Sequence, residues 1–292
     1  MYKADPNHEK NGELLPRRWA SLANIAAKDA EKIAELLDEL EGFIAKDAKG
    51  ELAASALYAK AQTYMRAAGS ENAERKDIVA AVNAFVEHSP KDDRAPRLLM
   101  TVAQRHTPAD EQAAAYRSVL KAYPDSRATR YTKGKIRQIE GHGKPFQLEF
   151  NEATTGERVS LRRLKGQVIV VDFWATWCGP CVAEMPHMKE LYAKYRDQGV
   201  EFIGVSLDQT EEKGGLTKLK AYCADNQIEW PQYYQGNYWS SEFSKSWGIN
   251  GIPTMFVVDA DGNLHSTTAR GKLDKMLPTL LGLEVPQEKS DG

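Results

Sequence analysis

The sequence predicts an all-α region followed by an α/β domain, and three observations carry that reading. From about Leu14 to Ile139 the chain is rich in alanine, broken by short polar stretches and nearly free of β-branched runs, the pattern of consecutive helices. Gly141, Gly143 and Pro145 interrupt it, and beyond them the hydrophobic period moves toward two, with strand-like runs alternating with helical ones. A length of 292 residues holds roughly two domains of ~100 to 200 residues each. The expected division is a helical domain over 1–142, an α/β domain over 143–287 and a polar tail over 288–292.

In the helical region the pattern predicts helices over Arg17 to Phe43, with room for a break, then Leu52 to Ala67, Asn72 to Glu87, Arg94 to Arg105, Ala109 to Ala122 and Arg127 to Glu140. Pro108 near a helix start, with Asp110 and Glu111 in the first turn, and Pro124 just past a helix end mark boundaries. Phe146 to Phe150 and Arg158 to Leu161, joined through Thr154-Thr155-Gly156, predict a hairpin. Gln167 to Phe173 is a continuous apolar run of the kind buried at a sheet centre. Helices over 179–197 and 215–226 then alternate with strands over Glu201 to Ser206, Trp230 to Tyr234, Thr254 to Asp259 and Asn263 to Thr268, before a helix from Leu273 to Leu281.

Composition narrows the function. Hydrophobic residues at 42% and charged residues at 27% are close to the globular average, which excludes collagen and a wholly disordered chain. Net charge is -2 and neither half has the basic excess of a nucleic-acid binder. No apolar run approaches the ~18 residues of a membrane span. The start, Met1-Tyr2-Lys3-Ala4-Asp5-Pro6, lacks the apolar stretch of a secretory signal, leaving a cytosolic chain or one written in mature form. Three cysteines are too few for a disulfide framework, yet Cys178 and Cys181 lie only three positions apart. A single Cys-x-x-Cys pair does not supply the four ligands of a structural zinc site, and Val182 stands where covalent haem attachment needs histidine. No metal and no cofactor is expected.

A weak repeat lies in the helical region, where Phe85-Val86-Glu87-His88-Ser89-Pro90 is echoed by Val119-Leu120-Lys121-Ala122-Tyr123-Pro124. The prolines are 34 positions apart (124 − 90), which resembles one and a half degenerate tetratricopeptide repeats, a scaffold that usually binds other proteins. An ordinary helical bundle is the alternative.

Val171-Asp172-Phe173-Trp174-Ala175-Thr176-Trp177-Cys178-Gly179-Pro180-Cys181 closely resembles the active-site stretch of thioredoxin, and Gly251-Ile252-Pro253-Thr254 resembles its second signature, a loop with a cis-proline. The span from Lys144 to Leu281 is similar more specifically to the TlpA-like/ResA-like branch of that superfamily, whose members are usually exported thiol-disulfide oxidoreductases. The resemblance implies a thioredoxin-like fold: a central mixed sheet flanked by helices, with an N-terminal hairpin and a strand-helix insertion supplied by Leu207 to Trp247. It also implies a disulfide-containing or dithiol protein as substrate, an upstream redox partner and an extracytoplasmic location, with the cytoplasm as alternative.

Two cysteines at i and i+3 in the first turn of a helix share a face near the ~5.5 to 6 Å Cα separation of a disulfide. Cys178, at the helix N-terminus, is the expected attacking sulfur, its thiolate stabilised by free N-H groups and the dipole. Cys181, further in, resolves the mixed disulfide. Trp177, Gly179 and Pro180 are supporting residues, and Pro186 is expected to kink the helix. Asp172 matches thioredoxin's buried acid, which implies proton transfer to and from Cys181; an acid here departs from many TlpA-like chains. Glu184 matches an acidic position of ResA-like members, with a solvated helix charge as the alternative. Ile252, beside a cis Pro253, presents backbone groups to an extended substrate segment, and Trp239 with Tyr238 faces substrate. Cys223 is expected to be a buried small hydrophobe. The reading is a thiol-disulfide oxidoreductase, in the reducing direction because Gly179-Pro180 resembles the reducing thioredoxin pair. A peroxiredoxin-like peroxidase, or a protein-binding module with a structural disulfide, stands beside it.

Overall fold

A computed structural model describes residues 10–46, 48–68 and 73–284. The expected tail at 288–292 and the helix start at Asn72 lie outside the described residues. The chain forms two compact units, Met1–Arg130 and Tyr131–Gly292.

In the first unit the described helices are α1 (Asn11–Ala26), α2 (Ala30–Lys46), α3 (Glu51–Ala67), α4 (Arg75–His88), α5 (Ala95–Arg105) and α6 (Gln112–Ala122). The stretch expected as one helix to Phe43 is thus two, parted where the Asp29 carboxylate accepts the Lys32 N-H at 3.2 Å and starts α2 afresh. Alanines allow α3 to pack on two sides. Ala56 and Ala59 meet Trp19, Leu36, Leu40 and Phe43, whereas Leu57 and Ala61 meet Val82, Phe85 and Leu98. Helix α6 starts at Gln112, three residues later than expected, because the Glu111 N-H closes a turn on the Pro108 carbonyl at 3.0 Å. Asp110 and Glu111 therefore precede the helix instead of occupying its first turn. The two echoed segments end alike, with the Ser89 N-H on the Phe85 carbonyl at 2.8 Å and the Tyr123 N-H on the Val119 carbonyl at 2.9 Å. After the second, Arg127–Thr129 makes one 3-10 turn, capped by the Ser126 hydroxyl, and not the start of a long helix.

The second unit opens with α7 (Thr132–Gly141), which the sequence reading assigned to the helical domain. The division falls at Arg130/Tyr131 and not near 142 because α7 packs on Trp247. The Gln138 amide donates to the Trp247 carbonyl, the Arg137 guanidinium lies 4.0 Å from the Trp247 ring centroid, and Gly134 approaches so closely that a Cβ would sit 2.0 Å from the Gly248 nitrogen. Helical periodicity does not report which unit a helix packs against.

A short antiparallel hairpin follows, β1 (Glu149–Asn151) with β2 (Arg158–Ser160). The remaining elements are β3 (Val168–Trp174), α8 (Gly179–Tyr195), β4 (Val200–Ser206), α9 (Gly215–Asp225), β5 (Gln232–Tyr234), α10 (Glu242–Ser246), β6 (Thr254–Val258), β7 (Leu264–Ser266) and α11 (Leu273–Leu280). Five strands form one mixed sheet in the order β5-β4-β3-β6-β7. Strands β5, β4 and β3 are parallel, β6 runs antiparallel to β3, and β7 pairs antiparallel to β6. Every residue of β3 is buried, as a strand apolar at every position but Asp172 requires at the sheet centre. Within 207–247 the chain adds β5 to the sheet edge, together with α10 and a 3-10 turn over Tyr238–Ser240 that periodicity did not indicate. This is the thioredoxin-like architecture that the resemblance implied. Among the described residues no helix is long and apolar enough to cross a membrane.

Candidate active site

The end of β3 delivers the chain into α8 through Ala175, Thr176 and Trp177, and Cys178 is the residue that caps α8. Its sulfur accepts the Cys181 N-H at 3.3 Å, satisfying one of the free amides of the first turn. Cys178 and Cys181 are joined, with S-S 2.05 Å and Cα-Cα 5.2 Å. As a disulfide the two are nearly equally buried, at 5% and 3% exposure. Gly179 and Pro180 fill the first turn, where a missing proline N-H leaves no helical bond unmade. A Cβ on Gly179 would meet nothing within 4 Å, so packing does not demand glycine there. Helix α8 continues through Pro186.

Antiparallel pairing sets Thr254, the first residue of β6, against Phe173, near the end of β3. The Gly251–Pro253 segment therefore lies at the edge of the sheet where α8 begins. The Ile252–Pro253 bond is cis, and the Thr254 hydroxyl donates to the Gly251 carbonyl at 2.8 Å.

Trp177 is the large apolar side chain left open at this end, 42% exposed, with its indole N-H on the Leu207 carbonyl at 3.2 Å. Its ring centroid lies 5.0 Å from that of Tyr238 and 6.0 Å from that of Trp239. Tyr238 holds a positive φ of 50°, and its N-H reaches the Asp208 carbonyl at 3.2 Å. Together Thr176, Trp177, Asp208, Lys218 and Tyr238 line most of a cavity of about 310 Å³.

Asp208 is a site residue that the sequence reading missed. Its buried carboxylate accepts the Thr176 hydroxyl at 2.6 Å, the Thr176 N-H at 3.2 Å and the Ser206 hydroxyl at 2.8 Å, fixing the segment that leads into Cys178. The one available signal was a lone acid just after the apolar β4 run.

Asp172 lies in β3 between Gly204 of β4 and Met255 of β6, so neither cross-strand neighbour carries a charge. The carboxyl is buried and its Oδ1 has no hydrogen-bond partner. Burial chiefly, and the negative charge of Glu184 next, push its pKa up to about 8, opposed by the positive charge of Arg270. Glu184 accepts the Arg270 Nε-H at 2.9 Å across 86 residues, so it is an ion-pair partner and not the freely solvated charge held as an alternative. Nothing in the sequence pattern marked Arg270. Cys223, on α9, is buried, and burial raises its thiol to about 12. No group of three metal-ligating side chains occurs among the described residues.

Residues 140–276 match the Redoxin family model. The thiol-disulfide oxidoreductase ResA of Bacillus thuringiensis subsp. konkukian (strain 97-27) is 34% identical over 109 residues, which are 37% of this chain and 58% of that protein. ResA of Bacillus subtilis (strain 168) is 26% identical over 158 residues, 54% of this chain and 82% of that protein. The chain thus spans a little under three fifths of the first of these relatives. A solution structure of a thiol-disulfide oxidoreductase from Bacteroides vulgatus is 32% identical and covers 47% of this chain and 88% of its own, with a TM-score of 0.41. The Redoxin match holds the disulfide, the cis Ile252–Pro253 bond and the whole five-stranded sheet. Through that region the chain is similar to the thiol-disulfide oxidoreductases of the thioredoxin superfamily's TlpA/ResA-like branch.

Proposed function

We propose that the protein is a thiol-disulfide oxidoreductase that reduces protein disulfides through Cys178 and Cys181. The observation that carries this reading is the placement of a Cys178–Cys181 disulfide at the N-terminus of α8, at the same sheet edge as the Ile252–Pro253 segment and on the helix that follows the strand of a buried Asp172 whose Oδ1 has no hydrogen-bond partner.

In the reduced protein the Cys178 thiolate, favoured by the free N-H groups of the helix start, attacks one sulfur of the substrate disulfide. The other substrate sulfur leaves as a thiolate and takes a proton from solvent. Cys181 then passes its proton to the Asp172 carboxylate and attacks the Cys178 sulfur, and the second substrate thiolate leaves and is protonated. Two electrons move from the Cys178/Cys181 dithiol to the substrate. An upstream dithiol partner restores the reduced pair. Trp177, Tyr238 and Trp239 wall one side of this approach, and the Ile252 backbone supplies strand-like pairing to an extended substrate segment. The helical unit presents protein substrates, and the location is extracytoplasmic, as the resemblance to ResA-like proteins suggests. A peroxidase reading is less well supported, because the pair is vicinal and one helical turn apart.

Capture tests the reading. In Cys181→Ser the mixed disulfide with Cys178 cannot resolve internally, so the variant recovered under non-reducing conditions should carry proteins that dithiothreitol releases. Cys178→Ser/Cys181→Ser should carry none. Equal recovery from both variants would overturn the assignment.

A further inference from the structure

Asp172 can serve Cys181 only if it exchanges a proton in the interior of the sheet, and the two carboxylates at this place, Asp172 and Glu184, repel. The surroundings of Asp172 are uncharged on both sides within the sheet, at Gly204 and Met255. The charges acting on it come from two other elements, Glu184 on α8 and Arg270 in the segment after β7. At the start of α8 the two sulfurs are tied in the disulfide and carry no charge. Arg270 is not loosely placed. The N-H of Ala269 donates to the Met255 carbonyl at 3.1 Å, and Met255 is the cross-strand partner of Asp172, so the turn that carries Arg270 is anchored to the residue beside the buried acid. The Lys272 N-H closes that turn on the Ala269 carbonyl at 2.9 Å, and Gly271 supplies the positive φ of 69° it requires. From there the guanidinium reaches Glu184 at 2.9 Å.

We propose that Arg270 is a positioning residue for the proton step: its ion pair holds the Glu184 carboxylate and sets a fixed positive charge against Asp172, so that the buried carboxyl can release its proton and take the one that Cys181 sheds. The electron path is unchanged. The proton leaves Cys181 as its sulfur attacks Cys178, resides on Asp172 and returns when the pair is next reduced. The consequence for turnover rests on the reductase reading above, but the electrostatic claim does not.

The test is a pH titration of the Asp172 carboxyl by carbon NMR in the oxidised full-length protein, its resonance assigned with Asp172→Asn. Removing the positive charge in Arg270→Gln should raise the midpoint by roughly one pH unit, and removing the negative charge in Glu184→Gln should lower it. Arg270→Lys should restore most of the wild-type value. In the reduced protein the acid limb of the resolution rate should move the same way in each variant, a shift that a merely structural role would not produce. Should Arg270→Gln not fold, Glu184→Gln and Arg270→Lys still decide the sign. An unmoved midpoint, or shifts of the same sign in the two charge-removing variants, would overturn the role of Arg270. A wild type without reductase activity would instead overturn the reductase reading.

Discussion

The indole N-H of Trp174, at the end of β3, donates to the side-chain oxygen of Gln232 in β5 at 3.0 Å, passing over the intervening strand β4. Gly204 makes room for this bond, since a Cβ at that position would lie 2.1 Å from the same Gln232 oxygen. Gly204→Ala should therefore push Gln232 aside and strand a buried indole N-H, a loss of ~2 kcal/mol or more in denaturant unfolding. Gln232→Ala, which removes the acceptor but not the glycine, should lose ~1 to 3 kcal/mol. A Gly204→Ala variant as stable as the wild type would show that Gln232 has another home.

The raised pKa of Asp172 makes stability fall with pH. The group titrates near 3.8 when unfolded and about 8 when folded, so between these values the native state binds the extra proton. The ionisation penalty of its burial is absent below pH ~4 and grows as pH rises toward ~8. Asp172→Asn should flatten that slope and stabilise the oxidised protein at pH 7 by on the order of 2 kcal/mol, less than full titration implies because the amide is also buried. Unfolding curves of both proteins at pH 5, 7 and 8 check the sign. A variant less stable at pH 8 than the wild type would contradict it.

Cys223 should be inert. Its thiol is buried and raised to about 12, so iodoacetamide at pH 8 should label the reduced protein at Cys178 and leave Cys223 unmodified until denaturant is added. Peptide mapping reads the result, and rapid native labelling of Cys223 would require the α9 surroundings to open.

The domain division has its own check. A fragment beginning at Tyr131 keeps α7 over Trp247 and should unfold cooperatively. One beginning at Gly143 exposes the Trp247 face and should lose several kcal/mol or aggregate. Equal stability of the two would return the boundary to the glycine-proline break.

That boundary marks the limit of what the chain reveals residue by residue. The run from Val168 to Trp174 is legible as a central strand because every position is apolar but one, and the one exception, Asp172, is the acid proposed for the proton step. Cys178 to Cys181 is legible because its chemistry depends on local spacing, and Gly251 to Thr254 through its resemblance to the second thioredoxin signature. Asp208 and Arg270 are not, since each acts through a partner brought near by the sheet: Asp208 through Thr176, 32 residues away, and Arg270 through Glu184, 86 residues away. Helix α7 was read as a helix but not as a lid on Trp247, because its packing partner lies in an insertion about a hundred residues on. The extra turn at Tyr238, held at positive φ by a tyrosine, runs against residue preference and has no local signal.

The central claim is that Cys178 and Cys181 form one dithiol that gives two electrons to a protein disulfide. Single-turnover reduction of insulin by the pre-reduced protein, quenched with acid and mapped by mass spectrometry, measures it directly. The account predicts one insulin disulfide lost per chain, with Cys178 and Cys181 joined to each other and Cys223 still free. Insulin left intact by the reduced wild type, or reduced equally by Cys178→Ser, would contradict it.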